Sequence, residues 1–142
     1  MKTDNGGLAT TARVKVSLGK GSTWATRLSQ IGKSSGEIII CTYSLPNLDY
    51  MSQILDKRSD ITIVCHKKFQ EKASILQQKY PRLNIILKSD IHAKMVLIQP
   101  ETVILSSANF GSSGWLEHTI TVKSESVYSY YYNRLKGVLN YD

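Results

Sequence analysis

Apolar positions along this chain change period several times, and each change marks a predicted element. Val14, Val16 and Leu18 alternate with polar residues, the spacing of a half-buried strand. Gly19 to Gly21 reads as a turn, after which Ser22 or Thr23 can cap a helix with Trp24, Leu28 and Ile31 on one face. Lys33 to Gly36 ends that helix. Glu37 to Tyr43 is a nearly continuous apolar run, the kind buried on both faces of a sheet. Asn47 then caps a short helix carrying Leu48, Met51, Ile54 and Leu55. Ile61 to Cys65 predicts the next strand, and Lys68 to Tyr80 a helix stopped ahead of Pro81. Asn84 to Lys88, His92 to Ile98 and Thr102 to Ser107 predict three further strands, the last two forming a hairpin. Past a Gly- and Ser-rich loop (Phe110 to Gly114), His118 to Lys123 predicts a final strand. Ser126 to Leu139 predicts an amphipathic helix with Val127, Tyr131, Leu135 and Leu139 toward the core.

Strands alternating with helices, then a hairpin, predict an α/β layered sandwich whose mixed sheet is flanked by helices. At 142 residues the chain fits one domain, expected over 13–142, behind a polar, flexible segment from Met1 to Ala12. That segment has no apolar core of a signal peptide, and no run is long enough to span a bilayer, so a cytoplasmic protein without stable membrane association is expected. The two cysteines, Cys41 and Cys65, lie in apolar strands and read as buried free thiols. No Cys/His spacing suits zinc and no carboxylate cluster suits Mg²⁺, so neither metal nor cofactor is expected.

Charge changes the picture more than composition does. Between Cys65 and Lys94 seven cations face only Glu71 and Asp90, so this window holds +5 of the net +7. Its lysines, among them Lys67, Lys68, Lys72 and Lys88, lead straight into the hairpin and suit a polyanion such as DNA or RNA.

The hairpin carries the candidate chemistry. His92 and Lys94 are two apart, as are Ser107 and Asn109, and side chains two apart on a strand share a face. With Pro100 and Glu101 as the tip, Lys94 falls opposite Ser107 and His92 opposite Asn109, so all four converge on one ligand. A slip of one residue would split the set between faces. Pro-Glu is a poor two-residue tip, because such turns want positive φ.

His92-x-Lys94 followed by Ser107-x-Asn109 resembles the signature of the phospholipase D superfamily. Ser106-Ser107-Ala108-Asn109-Phe110 and then Ser113-Gly114-Trp115 are similar to that family's continuation, and the strand ending Thr42-Tyr43-Ser44 is similar to its second strand. With one copy of the motif, the chain most resembles the small bacterial endonucleases of the superfamily. It departs in three places: Gln99 stands where the family usually has Asp, Ser106 where it has Gly, and His118 and Ile120 where it has Asn-x-Glu. Glu117 is close in sequence to that missing acid, but strand alternation predicts it on the other face. Glu117 and His118 are nonetheless candidate orienting or pocket residues.

The resemblance implies a metal-independent phosphodiesterase. His92 would attack phosphorus to give a phosphohistidine, Lys94 would neutralise non-bridging oxygens, and Ser107 and Asn109 would add hydrogen bonds. A second histidine must protonate the leaving oxygen, which implies a two-fold homodimer. The alternative implied by Gln99 and Ile120 is a catalytically weak or inactive factor that binds nucleic acid or protein. A third reading, lipid phosphodiester chemistry, finds little apolar anchoring surface beyond Trp115.

Overall fold

The computed structural model describes residues 7–20, 31, 33–111 and 113–140. The predicted helix with Trp24 and Leu28 lies outside the described residues, apart from Ile31 and Lys33, which are helical. The strands are β1 (Arg13–Lys20), β2 (Ile38–Cys41), β3 (Thr62–His66), β4 (Asn84–Lys88), β5 (Met95–Ile98), β6 (Thr102–Ser106) and β7 (Leu116–Lys123). The helices are α1 (Leu48–Leu55), α2 (Gln70–Lys79) and α3 (Glu125–Asn140), with a 3-10 turn at Lys67–Phe69 leading into α2. Gly19 and Lys20, predicted in a turn, continue β1, because their backbones pair with Glu117 and Leu116 of β7.

One mixed sheet runs β1-β7-β6-β5-β2-β3-β4. β2, β3 and β4 are parallel, whereas β5, β6, β7 and β1 add on antiparallel. The two faces separate by parity. Ile38, Ile40, Val96, Ile98 and Ile104 pack with Met51, Ile54 and Leu55 of α1 and Ala73 and Leu76 of α2. Ile39, Cys41, Leu97, Val103 and Val122 pack with Tyr128 and Leu135 of α3. Period-two alternation thus feeds two apolar layers, and each fully buried Ile or Leu contributes about 1.5–3 kcal/mol. α1 starts where predicted, because Asn47 Oδ1 accepts from Tyr50 N at 2.9 Å. Both thiols are free, buried and raised by desolvation, Cys41 to about 12 and Cys65 to about 11.

The hairpin differs from its predicted register by one residue. Ile98 pairs with Thr102, which places Lys94 across from Ser106 rather than Ser107. Proline holds φ negative and cannot supply the turn that a two-residue tip requires, so the tip takes three residues, Gln99 to Glu101. β5 also starts at Met95, leaving His92 to Lys94 as unpaired approach to the strand apart from Lys94 O, which accepts from Ser106 N at 3.1 Å.

Gln99 ties the tip to the chain before β2: its N donates to Glu37 O at 2.9 Å and its Oε1 accepts from Glu37 N at 3.2 Å. Gly36 makes this approach possible, since a Cβ there would run into the carbonyl oxygen of Gln99. Gly36→Ala is therefore expected to destabilise the fold by about 1–3 kcal/mol in urea unfolding, whereas Gly114→Ala, at an open position, should stay within about 0.5 kcal/mol of wild type.

Candidate active site

The candidate residues gather at one end of the sheet, where β2 and β3 finish and β5 and β7 begin. Ligands of open α/β sheets bind outside the carboxyl ends of parallel strands, and this is that end.

A circuit of short contacts joins the predicted residues. Lys94 Nζ lies 3.2 Å from His92 Nδ1 and donates to His92 O at 2.9 Å. An ammonium can only donate, so the ring nitrogen facing it accepts. The His92 ring sits 5.8 Å from that of Tyr43, whose backbone N donates to Asn109 Oδ1 at 3.2 Å. Thr42, buried between them, donates from Oγ1 to Ser44 O at 2.8 Å and accepts from Phe110 N at 3.0 Å. That pins the Asn109 loop to the end of β2.

Glu117 completes the circuit. Its Oε1 accepts from Ser107 Oγ at 2.6 Å and its Oε2 from Ser113 Oγ at 2.8 Å. These two bonds are the main cause of a carboxyl pKa held below its ordinary value, with the charges of His118 and Lys94 acting in the same direction. Burial lowers the Lys94 pKa, and the Glu117 charge opposes that shift.

Glu117 was expected on the far face, and the structure corrects this. The β6–β7 register pairs Ile104 with Thr121 and Leu105 with Ile120. Odd positions of β7 therefore share the face of Ile104, Val96 and Lys94, while His118 shares the parity of Ile120 and Val122 on the α3 side. His118 enters the site through its backbone: its N donates to Ser107 Oγ at 3.1 Å and its O accepts from Ser107 N. The one-residue slip applies only as far as Ser106, where β6 ends. Ser107 and Ala108 form a bend, and strict alternation stops there.

The cationic residues separate into two kinds. Lys67, Lys68 and Lys72 are exposed around the 3-10 turn and α2. Lys68 Nζ stands 5.8 Å over the Tyr43 ring, and Lys72 Nζ donates to Leu45 O at 3.3 Å. Lys88 departs from the expected open surface: it is 3 % exposed, with Nζ 3.5 Å from Asp90, because it ends β4 on an inward parity. Two residues not singled out in the sequence belong to the site. Tyr43 touches His92, His66, Phe69 and Lys68, and Ser113 holds the second oxygen of Glu117. An aromatic immediately after a buried parallel strand was the available signal for Tyr43. Among the described residues no three His, Cys, Asp or Glu side chains converge as a metal site.

The depressed pKa of Glu117 gives the site a stability signature. Its contribution is complete above the ordinary value of 4.5 and is lost as pH falls through the lower folded value. Glu117→Gln should therefore be less stable than wild type at pH 6, and the gap in melting temperature should narrow by pH 3. A gap that holds constant with pH would contradict this assignment.

The family model described as "Cardiolipin synthase, PLD-like domain" matches residues 28–138. The solved structure of Nuc, a phospholipase D family member from Salmonella typhimurium, superposes with a TM-score of 0.70 at 17 % identity, covering 90 % of this chain and 95 % of that one. NucT from Helicobacter pylori gives 0.63 at 16 % identity, covering 90 % and 94 %. TrmBL2, an archaeal chromatin protein whose structure shows a novel mode of DNA binding, gives 0.62 at 12 % identity, over 88 % of this chain and 52 % of that one. No curated protein matches the chain in sequence.

Proposed function

The chain belongs to the phospholipase D-like family, and from that premise we propose that it is a metal-independent phosphodiesterase acting on nucleic acid as a homodimer, through a phosphohistidine on His92. The circuit linking Lys94, His92, Tyr43, Asn109, Ser107 and Glu117 is the observation that carries this reading. It gathers an exposed imidazole, a cation and hydrogen-bonding groups at one end of the sheet.

His92 attacks phosphorus, forming an N–P bond as the bond to the leaving oxygen breaks. His92 of a second copy supplies the proton that this oxygen takes. The same second histidine then removes a proton from water, whose oxygen displaces the N–P bond and frees the phosphate. Lys94 neutralises a non-bridging oxygen as a point charge. Asn109, oriented through its carbonyl oxygen, donates from its amide nitrogen. Ser107 has a single proton, engaged by Glu117, so its role shifts from direct donor to holding the acid that faces Lys94. Lys67, Lys68 and Lys72 supply the salt-sensitive grip on flanking phosphates. Free, buried thiols suit a reducing compartment such as the cytoplasm.

A second reading, a non-catalytic nucleic-acid-binding factor, is favoured by one observation: Glu117 bonds Ser107 and Ser113, and no bond to His92 is among its contacts. One mixing experiment separates the two readings. A site shared across a two-fold axis needs both histidines, so an excess of His92→Ala protein, equilibrated with wild type, should suppress cleavage in proportion to the mixed dimers formed. Cleavage unaffected by the excess would remove the shared site, and EDTA-resistant cleavage is expected throughout.

A further inference from the structure

A pocket of about 550 Å³ opens beside the proposed phosphate site, within the range of small-molecule sites. Ser107, Asn109 and Glu117 line it, so it shares three residues with the candidate site although His92 and Lys94 are not in its wall. The rest of its wall is aromatic and neutral: Tyr50, Phe110 and Trp115 are the ring-bearing members, and Asn47 stands among them. Among the described residues no lysine or arginine lines it. Its shape is fixed on one side, because Gly111, with φ +137°, is pressed against Pro46 so closely that a Cβ would lie 3.0 Å from the proline Cβ.

We propose that this pocket is the subsite for the nucleoside attached to the scissile phosphate, and that it selects nucleic acid over diacylglycerol phosphodiesters. The inference rests on reading His92 and Lys94 as a phosphodiester site. A second phosphate is repelled by the Glu117 carboxylate, so the pocket takes the uncharged part of the substrate. Acyl chains demand an apolar wall without carboxylate, amide or hydroxyl, since each of those groups would be buried without a partner. A nucleoside matches the wall feature by feature. Its base offers a planar face to Trp115, which is 80 % exposed and poised at the pocket for stacking. Its hydroxyl and amino groups can donate to the outer lone pairs of Glu117, each oxygen of which already accepts one serine. Asn47 spends its carbonyl oxygen on Tyr50 N, so its amide nitrogen is the end that donates to a ligand.

The test uses the His92→Ala protein, which binds without turnover, and three probes followed by NMR: adenosine, dihexanoylphosphatidylglycerol below its micellar concentration, and inorganic phosphate. Adenosine should shift the Trp115 indole and the Ser44 to Tyr50 amides. Trp115→Ala, which empties no core, should weaken adenosine by about 5- to 100-fold. Asn47→Asp keeps the helix cap and adds a second negative charge, so it should weaken any ligand that accepts from Asn47. Trp115→Ala should leave the response to phosphate unaltered. Adenosine shifts that ignore Trp115→Ala, or stronger shifts of the same residues by the lipid, would overturn the proposal. The phosphodiesterase reading fails separately, if wild-type protein cleaves no phosphodiester although adenosine binds as expected.

Discussion

His92→Ala should lose phosphodiester cleavage by at least about 10³-fold in kcat/KM while its melting temperature stays within a few degrees of wild type. The catalytic loss follows from chemistry: alanine cannot form the N–P bond, and in a shared site both the nucleophile and the proton donor disappear together. The small structural cost follows from position. His92 is exposed, precedes β5, and among the described residues touches Lys94 and the Tyr43 ring. Nucleic-acid binding should survive, because Lys67, Lys68 and Lys72 are untouched. Equal cleavage by variant and wild type would point to a contaminating nuclease.

Lys94→Gln is expected to lower kcat by about 10²–10³-fold, the usual cost of removing one charge-stabilising donor from a phosphoryl or acyl centre. Two further effects distinguish this lysine from the surface cations. Its Nζ donates to His92 O, so the nucleophile's backbone also loosens. Its charge also acts on Glu117, and that favourable interaction would be lost. Substituting Lys68 instead should leave kcat nearly unchanged, weaken binding, and flatten the salt dependence by about one unit of slope. Steady-state kinetics on a single-stranded oligonucleotide at several salt concentrations separates the two patterns.

Much of this molecule could be read from its residues, for identifiable reasons. β4 is bounded where its Ile85-Ile86-Leu87 centre predicted, and Asn47 caps α1 because its short side chain reaches back to Tyr50 N. The mixed sheet followed from apolar runs of different period, and the family resemblance from four residue types at fixed spacing. Register was harder. It depends on turn geometry at Pro100, and one residue decides which face each side chain takes. The ladder also stops at Ser106, and Ser107 bends out of it, which no alternation rule contains. The same rule misplaced Glu117, whose face is set by pairing with β6. Lys88 read as a surface cation from composition alone, but at the end of β4 it is buried, with Nζ 3.5 Å from the exposed Asp90. Tyr43 appeared in the sequence only as the end of a strand, since its value lies in how the stretch from His66 to Phe69 and His92 surround one ring.

The proposed reaction turns on a nitrogen–phosphorus bond at His92. Wild-type protein should be incubated with an oligonucleotide carrying labelled phosphate, quenched rapidly in alkali, digested and mapped by mass spectrometry. The account predicts an acid-labile, alkali-stable label on the peptide containing His92, absent from His92→Ala. Turnover without any such adduct, or an adduct on a different residue, would contradict it.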